Sequence, residues 1–129
     1  MRDYSENGIA TIILDVAFAI HKELGPGLFE SVYETIMEYE LINTYGLTVK
    51  RQSPVPVLWK NIKMDLGFRS DLVVENKVIA ELKSIEAIAP VHPKQLLTHL
   101  RLTKLKLGLL INFNVPLLKD GIKRIANDL

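Results

Sequence analysis

Apolar residues Ile9, Ile12, Ile13, Val16, Ala17, Ile20 and Leu24 recur at helical spacing and predict an amphipathic helix from Tyr4 to Leu24. Ser5 is placed to cap its start, and Gly25-Pro26-Gly27 ends it. A second helix is expected from Phe29 to Tyr45, with Gly46 as the residue that closes it. The period then shortens. Leu47 to Gln52 and Val55 to Lys60 read as two strands, and Ser53-Pro54-Val55-Pro56 between them points to a sheet edge, where a missing N–H is tolerated. Asn61 turns the chain into Ile62 to Phe68, and Gly67 marks a bulge or a close backbone approach.

The stretch Arg69 to Ser84, RSDLVVENKVIAELKS, contains two β-branched-rich runs, Ser70 to Val74 and Val78 to Ser84, joined by Glu75-Asn76-Lys77. Asn tolerates left-handed backbone, so a hairpin is the economical reading. Side chains alternate across a strand, which puts Glu81 and Lys83 on one face and Ala80 and Leu82 on the other. Asp71 joins Glu81 only if the two are directly opposite, with Val73 facing Ile79 and a three-residue connection. Downstream, Ser84 to Pro93 is irregular. Pro93 suits the first turn of a helix running to Leu105, whose apolar stripe is Leu96, Leu97, Leu100 and Leu102. Leu107 to Phe113 is continuously apolar, as a strand covered on both faces would be. A strand, helix, strand order from Glu81 to Phe113 implies a parallel crossover. The segment Pro116 to Leu129 reads equally as strand or helix. The expectation is an α/β fold with a mixed central β-sheet flanked by helices, in a single domain over residues 1–129.

Composition narrows the setting. Apolar residues make up 48% and charged residues 24%, ordinary for a globular chain, and a net charge of +1 means that any phosphate-binding surface must be local. The absence of cysteine excludes thiolate metal sites and disulfides. Acids in the MRDYSENG start are unlike a secretory signal, and Ile9 to Ile20 is too short to span a bilayer and contains Asp15. The expected location is cytoplasmic, with no membrane partner.

Asp71, Glu81 and Lys83 are the parts a metal-dependent phosphodiesterase needs. Paired carboxylates hold a hard divalent cation such as Mg²⁺ or Mn²⁺, which polarises a phosphate, and a lysine orients the attacking water or stabilises the developing charge. A solvated hairpin face carries such residues too. The difference lies in the setting, because Val78-Ile79-Ala80 and Leu82 look like a central strand, where unpaired charge is costly.

Asp71 followed by Glu81-Leu82-Lys83 resembles the signature of the PD-(D/E)XK nuclease superfamily, and Gly27-Leu28-Phe29-Glu30-Ser31-Val32-Tyr33 resembles the motif of the GxxExxY protein family. The resemblance runs from about Ile12 to Ile125 and includes HKELGPGLFESVYE, RSDLVVE, AELKS, HPKQLLTHL and LGLLINFNVPLLKDGIKR. Ser70 stands where the superfamily name puts proline, and His99 where many relatives carry tyrosine. The resemblance implies a PD-(D/E)XK nuclease-like fold and hydrolysis of DNA or RNA. Asp71, Glu81 and the Leu82 carbonyl would be metal ligands, Lys83 would serve the water, and Glu30 and Gln95 would support the site.

Other residues carry two readings each. Glu30 is either a first-turn acid favoured by the helix dipole or an acid projected toward the metal. Tyr33 shares its face and is expected to pack, with its hydroxyl on Glu30 or Lys83 near substrate. Arg69 meets a phosphate or an acid. Lys94, Arg101 and Lys104 form either a phosphate-binding face or a solvated one. His21 reads as a helix-end histidine rather than a ligand. The rival to the nuclease is a non-catalytic module of the same fold that binds nucleic acid or a protein partner, or self-associates. In a third reading, the carboxylates and Lys83 form a buried ion network without metal.

Overall fold

A computed structural model describes residues 2–129, except for the side chains of residues 65 and 66, so Met1 of the predicted domain lies outside the described residues. Helix α1 spans Glu6–Leu24, and the Ser5 hydroxyl accepts the Gly8 N–H at 3.1 Å, as the cap prediction requires. Gly25, at φ +71, then turns the chain. Helix α2 is Glu30–Asn43, starting after Phe29 and stopping at Thr44, slightly inside the expected ends.

Strand β1 (Val49–Trp59) runs unbroken through both prolines, where two strands were expected. It can do so because it is the edge strand of a five-stranded sheet ordered β1-β2-β3-β4-β5, so each proline's missing N–H costs little. Lys60 and Asn61, both at positive φ, form a two-residue turn into β2 (Ile62–Val74). The β1–β2 pairing slips between Val55 and Val57. A Cβ on Gly67 would lie 2.0 Å from the Val55 carbonyl oxygen, which explains the glycine.

Strands β2 and β3 (Val78–Lys83) form the predicted hairpin, with Val73 opposite Ile79 and Val74 opposite Val78 across the Glu75-Asn76-Lys77 turn. Helix α3 covers Val91–Thr103 and starts before Pro93, since Val91 and His92 complete its first turn. Strand β4 (Leu107–Asn112) is buried throughout and pairs parallel to β3, as its apolar run predicted. The undecided tail is both things: a 3-10 turn at Leu118–Gly121, then antiparallel strand β5 (Ile122–Ala126).

Alternation along β3 and β4 divides the core. Val78, Ala80, Leu82, Leu107, Leu109 and Ile111 face α1 and α2. Val73, Ile79 and Leu110 face Leu96 and Leu100 of α3. The buried stripe of α3 is Leu96, His99 and Leu100, so a histidine takes the place expected for Leu97 or Leu102. Glu81 and Lys83 belong to the α3 side by the same alternation. No described helix is long and apolar enough to cross a membrane.

Gly108 fixes how closely α3 lies on the sheet. A Cβ there would meet Leu96 side-chain atoms at 2.9 Å. Gly108→Ala is expected to destabilise the fold by about 1–3 kcal/mol through overpacking, and Leu96→Ala by roughly 2–5 kcal/mol through the cavity left behind. Combined, they should cost clearly less than the sum, measured by urea denaturation. Additive losses would show that Gly108 does not set the height of α3.

Candidate active site

The β2–β3 ladder stops at Leu72 opposite Ala80, one residue short of Asp71 and Glu81. Continuing the register would place Asp71 opposite Glu81. Instead the Asp71 Oδ2 accepts the Leu82 N–H at 2.8 Å, a side chain replacing a backbone acceptor. Within a strand, N–H and C=O groups of one residue point the same way, and successive residues alternate. Lys83 O accepts the Phe113 N–H on the β4 side at 2.9 Å, so the Leu82 carbonyl is directed to the β2 side, toward Asp71. Asp71, Glu81 and Lys83 line a single cleft with Arg69, His92, Gln95 and His99.

Electrostatically the cleft is under-compensated. Burial first, then the Glu81 carboxylate, push the Asp71 pKa from 3.8 up to about 6, against the lowering effect of hydrogen bonds from Leu82 and Gln52. Glu81 is buried, and its Oε1 has no hydrogen-bond partner among the described residues. His99 Nδ1 lies 3.6 Å from that oxygen, too far for a hydrogen bond, and both ring nitrogens lack a partner among the described residues. The His99 ring lies tilted against Phe68 with centroids 4.5 Å apart. Lys83 forms no ion pair among the described residues.

Around this centre the predicted residues distribute unevenly. Glu30, exposed at the start of α2, accepts the Ser84 N–H through Oε1 at 3.3 Å, immediately after Lys83. Ser84 Oγ donates to Leu28 O at 2.6 Å, tying the loop before α2 to the end of β3. Gln95 lines the cleft, as its helix position implied. Arg69 also lines it and donates to the Gln52 carbonyl at 3.2 Å, rather than to an acid. Lys94 is exposed on α3 and is not among the cleft residues.

Tyr33 corrects the expectation of a substrate contact. It is fully buried, stacked on Phe113 at 4.2 Å, and its hydroxyl donates to Gly25 O at 2.6 Å and accepts from Leu28 N at 3.3 Å. It therefore braces the Gly25–Leu28 turn, and its hydroxyl bonds neither Glu30 nor Lys83. His21 is likewise structural, with Nε2 2.8 Å from Val115 O.

Four polar residues near the site escaped the sequence reading of roles. Glu34 is buried and accepts Gln52 Nε2 at 2.8 Å, while the same nitrogen reaches Asp71 Oδ1 at 3.2 Å. Its neighbours Tyr33, Met37 and Leu41 form a buried stripe, so helical spacing already contained the signal for Glu34. Nothing local marks Gln52. His92 Nδ1 accepts the Ala89 N–H at 3.0 Å at the start of α3. His99, three residues after Leu96 and buried beside it, carried the same unread spacing signal as Glu34.

The sequence model describing the PD-(D/E)XK nuclease superfamily matches residues 7–125, nearly the whole chain. The chain belongs to the PD-(D/E)XK nuclease superfamily. No curated protein and no solved structure matches it.

Nucleases of this superfamily generally work with divalent metals, and the donor set can be tested against that chemistry. Among the described residues, no group of three or more His, Cys, Asp or Glu side chains converges to hold an ion. Two carboxylates, Asp71 and Glu81, with a directed main-chain carbonyl do fit a hard, partly hydrated cation. They do not form a closed structural zinc site.

Because its folded pKa lies above the ordinary value, Asp71 holds a proton between pH 4 and 6 that the unfolded chain has released. Its contribution therefore lowers the stability of the metal-free protein as pH rises across that window, and the cost is complete above about pH 6. Asp71→Asn can still accept the Leu82 N–H. It is expected to flatten stability against pH between 4 and 6 and to stabilise the metal-free fold at pH 7.5 by roughly 1 kcal/mol, after allowing for solvent screening and the lost Gln52 bond. Chemical denaturation across pH with chelator present measures both. An unchanged slope would place the titration elsewhere.

Proposed function

We propose that this chain is a Mg²⁺- or Mn²⁺-dependent nuclease that hydrolyses phosphodiester bonds in DNA or RNA. The observation that carries the reading is the convergence of Asp71, Glu81 and Lys83 on one cleft, with Glu81 Oε1 buried and without a partner among the described residues. Glu30-Ser31-Val32-Tyr33 after Gly27 supports the narrower placement in the GxxExxY family.

In this reading Asp71 and Glu81 hold the cation, with the Leu82 carbonyl as a main-chain ligand. When bound, the cation supplies Lewis acidity toward a phosphate oxygen and makes water easier to deprotonate. Lys83, with no ion pair among the described residues, would orient the attacking water or stabilise charge developing on the phosphate. Glu30 steadies the main chain after Lys83, and Gln95 offers an amide from α3 to water or phosphate. Arg69 stands at the cleft as the cation for the substrate backbone, and Lys94 is the exposed charge nearest in sequence to Gln95.

Mg²⁺ or Mn²⁺ is expected to raise the melting temperature of the wild type, and Asp71→Ala should abolish that gain. An equal shift in both proteins would put the ion at another place. On a mixed DNA and RNA panel with either metal, Lys83→Ala should lower the saturated rate by about 10²–10³-fold while affinity changes modestly. An undiminished saturated rate removes Lys83 from the chemistry. No cleavage by wild type on any substrate would favour the binding module instead.

A further inference from the structure

Consecutive side chains of an extended strand point to opposite faces, yet Arg51 and Gln52 of β1 end on the same atom. Arg51 Nε lies 3.2 Å and Gln52 Nε2 2.8 Å from Glu34 Oε1. Alternation breaks at Gln52, whose φ is +51. A non-glycine residue enters this left-handed region at a cost of order 1 kcal/mol, so something must hold it there. The β1–β2 pairing skips this one position: Arg51 pairs with Leu72 and Ser53 with Ser70, leaving Gln52 and Asp71 between them.

Three contacts hold Gln52 in place. Its amide nitrogen bridges Glu34 Oε1 and Asp71 Oδ1, and its carbonyl accepts from Arg69 Nη1. Glu34 is itself fixed: it is buried, and the guanidinium of Arg51 spans Glu34 and Glu38. The result at Asp71 is specific. Oδ2 is bound by the Leu82 N–H and Oδ1 by Gln52, so the plane of the carboxylate is set from both ends while lone pairs remain on each oxygen.

The chemistry of the donor matters as much as its position. A lysine or arginine bonded to Asp71 Oδ1 in place of Gln52 would neutralise the acid and repel an incoming cation. A carboxamide orients the acid without adding charge, and the positive charge of Arg51 is taken up one step away by Glu34 and Glu38.

We infer that Gln52, anchored by Glu34 and Arg51, is a positioning residue that fixes the Asp71 carboxylate for cation binding. The inference rests on the reading of Asp71 as a metal ligand.

Gln52→Gly separates positioning from folding, because glycine accepts φ +51 without strain and loses only the side chain. Mn²⁺ affinity of the full chain is measured from the free-ion EPR signal, alongside metal-free melting temperature, for wild type, Gln52→Gly and Asp71→Asn. Gln52→Gly is expected to bind Mn²⁺ about 10-fold more weakly, within the range for groups that orient a ligand, with a melting temperature equal to or above wild type. Wild-type affinity in Gln52→Gly, with Asp71→Asn impaired, would overturn the positioning role and leave Asp71 a ligand. Affinity lost only in proportion to a lowered melting temperature would make Gln52 a structural residue. Wild-type binding insensitive to Asp71→Asn would overturn both readings together.

Discussion

The hydrogen bond from Leu82 N to Asp71 Oδ2 is the constraint on which the site depends. A central sheet has no water to spare for an unpaired backbone donor or for a naked carboxylate. The hairpin meets both needs at once by ending its backbone ladder and letting the acid take the next N–H. That exchange opens the strands where an ion and a phosphate would have to enter, and it turns the Leu82 carbonyl toward the same opening. It also leaves the acid partly desolvated beside Glu81, which is why its proton is held to about pH 6.

The two faces of the sheet divide the work. Helices α1 and α2 cover the side carrying Ala80 and Leu82, and α2 lends Glu34 to the framework around Asp71 and Glu30 to the main chain after Lys83. Helix α3 covers the other side only partly. It seats Leu96 on Gly108, and Gln95 and His99, before and after that contact in the helix, line the cleft with Glu81 and Lys83.

Buried polar atoms without partners are uncommon, and Glu81 Oε1 and both nitrogens of His99 are gathered within this cleft. Nearby, both oxygens of Asp71 and the Oε1 of Glu34 accept hydrogen bonds. The framework is thus satisfied around one acid and open at the other, an asymmetry suited to a site that is finished by a ligand.

Much of this was legible in the sequence. Strict alternation put Glu81 and Lys83 on one face, and the odd-length Glu75-Asn76-Lys77 connection brought Asp71 to Glu81, because a strand's period of two leaves no other parity. Helical spacing located α1, α2 and α3, and an unbroken apolar run located β4, since burial on both faces removes the need for polar positions. The tertiary structure decided what depends on distant partners. The Tyr33 hydroxyl went to the Gly25–Leu28 turn because Phe113, far along the chain, fixes its ring. Both prolines joined one strand because β1 fell at the sheet edge. Gln52 reached Asp71 because three elements meet there and hold its backbone in a conformation that no local pattern of residues would select.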